Sequence, residues 1–183
     1  MLLRNTRATF FTRHAKVLGS LAVIAALCGC EMSRQDHLIE ARAALADAAY
    51  DDAVAAAEAG LRTAAASSQE TADRAQEELD DATSWGLELA KLEAHARAGH
   101  GEEAKQQLTE LVNLHPNRVA ASEYFATAHQ LRGAGEGTAA IEVLDMGAIL
   151  FPFEPVIGRM IEEASTGGAP AELELLRSLG YVE

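Results

Sequence analysis

The chain has almost no cysteine. Cys28 and Cys30 are its only two in 183 residues, so from Glu31 onward neither a disulfide nor a cysteine metal site can form. Aromatic residues make up only 5% of the chain, whereas alanine is abundant, a balance that suits helices packed closely through small side chains. Four prolines and 14 glycines are too few for a disordered low-complexity chain. Positive charge is also scarce: 15 Lys and Arg stand against 28 Asp and Glu, a net charge of −13. Such a chain repels nucleic acid and anionic lipid. The apolar run from Val17 to Leu27 falls short of the roughly 20 residues that a membrane span needs. The length is that of one ordinary domain.

Catalytic signatures are missing as well. The sequence holds no G-x-S-x-G and no H-E-x-x-H, and from Glu31 onward no cysteine to act as nucleophile. Gly133 to Thr138, GAGEGT, resembles a phosphate loop only in its glycines, for it has no lysine and no strand before it. Glu93 and His95 are two residues apart and point to different helix faces, so with His100 they make no metal site. Neither a catalytic residue nor a cofactor is expected.

What is present begins with a targeting signal. Arg4, Arg7, Arg13 and Lys16 precede the apolar run, the anatomy of a secretory signal. Leu27-Cys28-Gly29-Cys30 then resembles the bacterial lipoprotein signal, with Cys30 as the lipidated residue because Gly29 before it is small. Cys28 fits poorly, since Leu27 would take the small-residue place. The resemblance implies cleavage after Gly29, diacylglycerol on the Cys30 thiol and a further acyl chain on its amine. Two or more chains anchor stably where one does not. The alternatives are an uncleaved N-terminal anchor or an ordinary signal peptide. Glu31 is not the aspartate that in such proteins commonly dictates inner-membrane retention, so the outer membrane, facing the periplasm, is favoured. Loss of residues 1–29 removes four basic residues, leaving 11 against 28 acidic ones and a formal charge of −17.

The rest of the chain is organised around Gly99 to Pro116, GHGEEAKQQLTELVNLHP. Gly99, Ala104, Leu108, Leu111 and Pro116 are answered 36 residues later by Gly135, Ala140, Leu144 and Pro152. This pattern resembles the tetratricopeptide repeat, in which a glycine closes the first helix, a small residue sits inside the second and a proline ends the unit. A weaker copy places Ala48 where Gly99 stands and Ala53 where Ala104 stands. The resemblance implies an all-α solenoid of about three helix pairs. These are residues 37–67, 68–118 and 119–154, behind a tether at 30–36 and before two capping helices in 155–183. The closing helices are placed at Pro155 to Ala164 and Pro170 to Leu179, proline suiting a first helical turn. Leu173, Leu176 and Leu179 are expected to cover the open end of the stack.

The middle pair carries about 17 extra residues. Ser67 and Glu70 form a possible capping box, and Ala72, Ala75, Leu79, Ala82, Gly86 and Leu89 hold one helical phase. A helix from Ser68 to Ala98 is expected, its acidic start being either a solvated face or an arm for a partner. Asn117 is the expected cap of the helix that follows.

In the repeat family the first helices line a concave groove that holds a peptide or folded partner. Carried over, the inward positions are Gln35, Leu38 and Arg42, then Gly86, Leu89, Glu93 and Arg97, then Ser122, Phe125, His129 and Arg132. Leu89 and Phe125 would supply apolar area, and Arg42, Arg97 and Arg132 bidentate donors. The clamp for chaperone C-termini is absent, with Leu38, Ala90, Ser122 and Ala126 at four of its polar places. The resulting expectation is a lipid-anchored adaptor that binds another envelope protein or peptide and no nucleic acid. The tail Leu176–Glu183 also resembles the Leu-Gly-Tyr-Val run that closes sulfatase-like hydrolases, without their catalytic part. It suggests, as an alternative, an accessory subunit of an envelope hydrolase or polysaccharide system.

Overall fold

The structure is a computed structural model that describes residues 32–66 and 74–183. Among the described residues all regular structure is helical, in eight helices: α1 (Arg34–Ala46), α2 (Tyr50–Ala66), α3 (Arg74–Ala98), α4 (Gly101–Leu114), α5 (Ala121–Gly133), α6 (Gly137–Leu150), α7 (Pro155–Gly167) and α8 (Pro170–Ser178). Ser33–Glu183 form one compact unit. Cys30, the targeting segment and the Ser67–Glu70 capping box lie outside the described residues.

Each helix packs only against the next helix and the next but one. The odd-numbered helices contact one another in turn, α1 with α3, α3 with α5 and α5 with α7. The even-numbered α4, α6 and α8 do likewise. Two rows of helices with contacts confined to near neighbours make a helical-repeat solenoid.

The first helix of each pair ends in the same way. At Ala48, Gly99 and Gly135 the backbone turns left-handed, with φ of 57°, 76° and 92°. In each case the next N–H donates back five residues: Ala49 to Ala44, His100 to His95 and Glu136 to Leu131, at 2.9 Å throughout. These are Schellman closures, which satisfy the last carbonyls of the helix and reverse the chain within three residues. Inside the second helices, Ala53, Ala104 and Ala140 are buried in corresponding positions, followed four residues on by buried Ala57, Leu108 and Leu144. Burial of each such leucine is worth about 2 kcal/mol. The space a side chain would need is already filled at two helix starts. A Cβ on Gly101 would lie 2.6 Å from the Ala139 Cβ, and one on Gly137 would overlap the Glu172 carboxylate.

Helix α3 joins two parts of the core. Leu87, Ala90 and Ala94 face Ala41, Leu45, Ala53 and Ala57 of the first pair. Leu92 and Ala96 face the other way, into a cluster that runs through Leu111, Tyr124, Leu131 and Ile157 to Leu176. At its outer end, Arg118 stacks 4.7 Å above the Trp85 ring and binds Asp81 at 2.6 Å.

Three sequence expectations are corrected here. Residues 34–36, assigned to the tether, form the first turn of α1, because Ser33 and Asp36 make a reciprocal capping box: the Asp36 N–H donates to Ser33 Oγ at 3.2 Å and the Ser33 N–H to Asp36 Oδ2 at 3.1 Å. These bonds hold the Asp36 carboxyl below its ordinary pKa. Asn117 does not cap α5. It sits in a turn closed by the Arg118 N–H donating to the His115 carbonyl, and the helix begins only after Ala120, whose N–H donates to Glu123 Oε2 at 2.8 Å. Leu179 is not a core residue either: Leu176 is fully buried and Leu173 half-buried, whereas Leu179 caps α8 and stays exposed. Of the expected long helix, Arg74–Ala98 is helical, and residues 68–73 lie outside the described residues.

Candidate functional site

The turns fix which face of each odd-numbered helix remains uncovered. A cleft of about 620 Å³ opens between α5 and α7, lined by Phe125 and His129 of α5 and by Val156, Arg159, Met160 and Glu163 of α7. Ser122 and the backbone approach through Ala121 complete the α5 wall. Phe125 is 37% exposed, and its ring lies 6.2 Å from that of His129. Helix spacing explains the lining: Ser122, Phe125 and His129 fall three and four residues apart, as do Val156, Arg159, Met160 and Glu163. The floor is apolar and the rim carries both signs of charge.

The cleft is held open by what stands behind it. Tyr124 is fully buried and meets Phe151 edge-on at 5.9 Å. Its hydroxyl has no hydrogen-bond partner, and burial raises its pKa. Gly147 lets α5, α6 and α7 converge, since a Cβ there would sit 2.9 Å from Ile157 Cδ1 and 3.0 Å from the Tyr124 Cβ. Glu154 starts α7, its carboxylate accepting the Val156 N–H at 3.4 Å.

The residues singled out from sequence fall in four places. Ser122, Phe125 and His129 share the cleft. Leu38 and Arg42 of α1 reach across Gly86 of α3, whose Cβ would stand 3.0 Å from Leu38 Cδ2 and 3.8 Å from Arg42 Nη2; Leu89, further along α3, packs against the core, and Gln35 is exposed. Glu93 and Arg97 form an ion pair at 2.6 Å, and Arg97 borders a second, more polar cleft of about 450 Å³ with Tyr50, Asp51, Asp52 and His100. Arg132 leaves the face altogether: its Nη2 lies 3.8 Å from Glu172 Oε2 of α8. No single cleft gathers all seven groove residues, Arg42, Leu89, Glu93, Arg97, Phe125, His129 and Arg132.

The sequence reading missed the α7 wall by treating Pro155 onward only as a cap. A signal was present: α5 begins at Ala121 and α7 at Pro155, one repeat length apart, so α7 occupies the place of a further first helix.

His95 is half-buried near the end of α3. Its Nδ1 is buried without a hydrogen-bond partner. Burial, then the Lys91 charge and His100, lower its pKa against the opposing pull of Glu103 and Glu58. Among the described residues no three His, Cys, Asp or Glu side chains converge on a metal position. Between α4 and α6, Lys105 bonds both Glu102 and Glu142. Burial works to lower the Lys105 pKa, but the two carboxylates outweigh it and the net direction is upward. Gly133 to Gly137 form the closure of α5 and the start of α6.

Compared with known protein families, with curated proteins and with solved structures, the chain gives no significant match.

Proposed function

We infer that the protein is a non-catalytic adaptor of the tetratricopeptide kind, held to a bacterial envelope membrane by lipid on Cys30. It binds another envelope protein or peptide on the face formed by its odd-numbered helices. The observation that carries this reading is the α5–α7 cleft, where Phe125 and His129, both chosen from sequence as groove residues, line an apolar floor with a charged rim. An open cleft of this composition suits a side-chain anchor from a macromolecule, whereas small-molecule sites bury most of their ligand. Arg42 and Leu89 extend the same face toward the N-terminal end. Arg97 and Arg132 are engaged by carboxylates of the chain itself and contribute less.

The test is a crosslinked pull-down from membranes with the full-length chain beside a Phe125→Ala, His129→Ala double variant. One envelope protein recovered with the native chain and lost with the variant supports the reading. The same partners recovered with both would remove the cleft from it. The accessory-hydrolase alternative rests on the tail, and the tail has structural work: Gly180 closes α8 with φ of 85°, and the Tyr181 hydroxyl donates to Asp145.

A further inference from the structure

The two rows of helices do not meet alike at every joint. At the first joint α1 contacts α3, yet among the described residues α2 makes no contact with α4, whereas α4 meets α6 and α6 meets α8. The residue that opens each even helix accounts for the difference. Gly101 and Gly137 stand two residues after the left-handed Gly99 and Gly135, and each admits a close neighbour from the next even helix. A Cβ on Gly101 would lie 2.6 Å from the Ala139 Cβ, and one on Gly137 would overlap Glu172 of α8. Two residues after the left-handed Ala48 stands Tyr50. A side chain of that size leaves no room for such an approach. Tyr50 packs against the core of the first pair and lines the cleft of about 450 Å³ between the α1–α2 and α3–α4 turns.

The joint is therefore tight on one side and open on the other. On the odd side Leu38 of α1 bears on α3 at Gly86, where a Cβ would stand 3.0 Å from Leu38 Cδ2. On the even side the cleft walls are complementary: Asp51 and Asp52 of the first turn of α2 face the donors Arg97 and His100. The first pair also has its own core, with Ala53, Ala56 and Ala57 of α2 against Leu87 and Ala90 of α3, apart from the cluster that holds α4 to α8. Alanines give the α2 face low ridges, over which a packed helix can slide.

We propose that this joint is a hinge: the first helix pair turns on α3 at Gly86, carrying α2 into the cleft toward α4, and Tyr50 is the wedge that holds the cleft open. A joint spread on its even side bends the solenoid toward its odd face, and closing the cleft straightens it. The movement changes where Leu38 and Arg42 stand relative to Phe125 and His129, so it sets the span of the odd-helix face. This goes beyond the adaptor reading, since it needs neither the α5–α7 cleft nor the lipid.

The experiment is a spin-label distance measurement between Ala55→Cys on α2 and Gln106→Cys on α4, both exposed and equivalent in the first two pairs. It uses the full-length chain in detergent with Cys28→Ser and Cys30→Ser, so that no other thiol is present and neither partner nor lipid enters the result. With Tyr50 in place, the major population should lie at the splayed distance. A minor one should lie at that of packed helices, about 8–10 Å between axes. Tyr50→Gly should make the shorter distance the major one. Asp51→Lys with Asp52→Lys, which sets like charges against Arg97, should deplete it. Since Tyr50→Gly also removes packing, the charge reversal decides the matter if that variant loses helix content by circular dichroism. A single narrow distance that neither variant moves overturns the proposal. So does a Tyr50→Gly chain that keeps its helices and stays splayed.

Discussion

The hydroxyl of Tyr181 donates a 2.8 Å hydrogen bond to Asp145 Oδ1, tying the last residues of the chain to the middle of α6. Burial, the bond itself and the Asp145 charge together push the Tyr181 pKa up from 10.0 to about 12. A raised pKa in the folded state means that the contribution to stability is complete below the unfolded value and is lost as pH rises through the folded one. Tyr181 is 39% exposed, so solvent screening keeps the effect small. Tyr181→Phe is expected to cost about 0.5 kcal/mol at neutral pH. The gap between native and variant should close between pH 10 and about 12, which paired urea titrations would show. A gap that persists above that range would mean that the ring's packing, rather than its hydroxyl, holds the tail.

Ala48 is the one described non-glycine residue with positive φ, at 57°. It performs the closure that Gly99 and Gly135 perform in the other pairs, and does so against the steric cost that a Cβ imposes in the left-handed region. Ala48→Gly is therefore expected to stabilise the fold by about 0.5–1 kcal/mol, the relief being partly offset by the greater freedom of glycine in the unfolded chain. Gly99→Ala should destabilise by about 1 kcal/mol for the converse reason. Urea midpoints at constant slope would measure both, and equal signs for the two substitutions would contradict the shared geometry.

That contrast explains how much was legible in advance. The glycine, small-residue and leucine spacing around Gly99 and Gly135 marked the helix pairs because left-handed closure and close helix approach each demand a particular residue type. The weak first copy was readable only through the others, since Ala48 carries no sign of its conformation. Phe125 and His129 line one cleft because they lie on one face of α5 at helical spacing. The ion pairs of Arg132 and Arg97 were not legible, because the carboxylate comes from a different helix in one case and from one turn away in the other. The α7 wall was invisible for a further reason: Val156, Arg159, Met160 and Glu163 read equally well as the outside of a cap, and only packing against α5 decides.

The approach of α4 to α6 is set by the pair Gly101 and Ala139. A Cβ added to Gly101 would stand 2.6 Å from the Ala139 Cβ, and neither group has a flexible end to yield. Gly101→Ala should cost about 1–3 kcal/mol by overpacking, even though alanine favours helix over glycine. Adding Ala139→Gly should recover most of that loss, and the coupling in the double-mutant cycle measures the contact. Additive effects would place the strain elsewhere.

Trp85 is the only tryptophan, and Arg118 covers its ring at 4.7 Å while binding Asp81. The indole also meets His115 edge-on at 5.7 Å. Arg118→Ala should open the ring to water and shift its emission to the red, with a loss of about 1 kcal/mol from the cation–π contact and its partly exposed ion pair. Asp81→Asn should leave the emission nearly unchanged, because the stacking does not need the carboxylate. Equal shifts in both variants would show instead that Asp81 holds Arg118 over the ring.

On the adaptor reading, attachment to a membrane comes from the first thirty residues. Among the described residues no helix is long and apolar enough to cross a bilayer, and a chain of net charge −13 draws no help from anionic lipid. On the adaptor reading Cys30 supplies that attachment through two or more acyl chains, which hold where a single chain releases. Cys30→Ser is thus expected to abolish incorporation of labelled palmitate and to leave an uncleaved precursor, whereas Cys28→Ser should change neither. Palmitate retained in Cys30→Ser but lost in Cys28→Ser would move the lipid to the earlier cysteine. Membrane association without palmitate in the native chain would leave an uncleaved apolar segment as the anchor, and the cleavage after Gly29 would be ruled out with it.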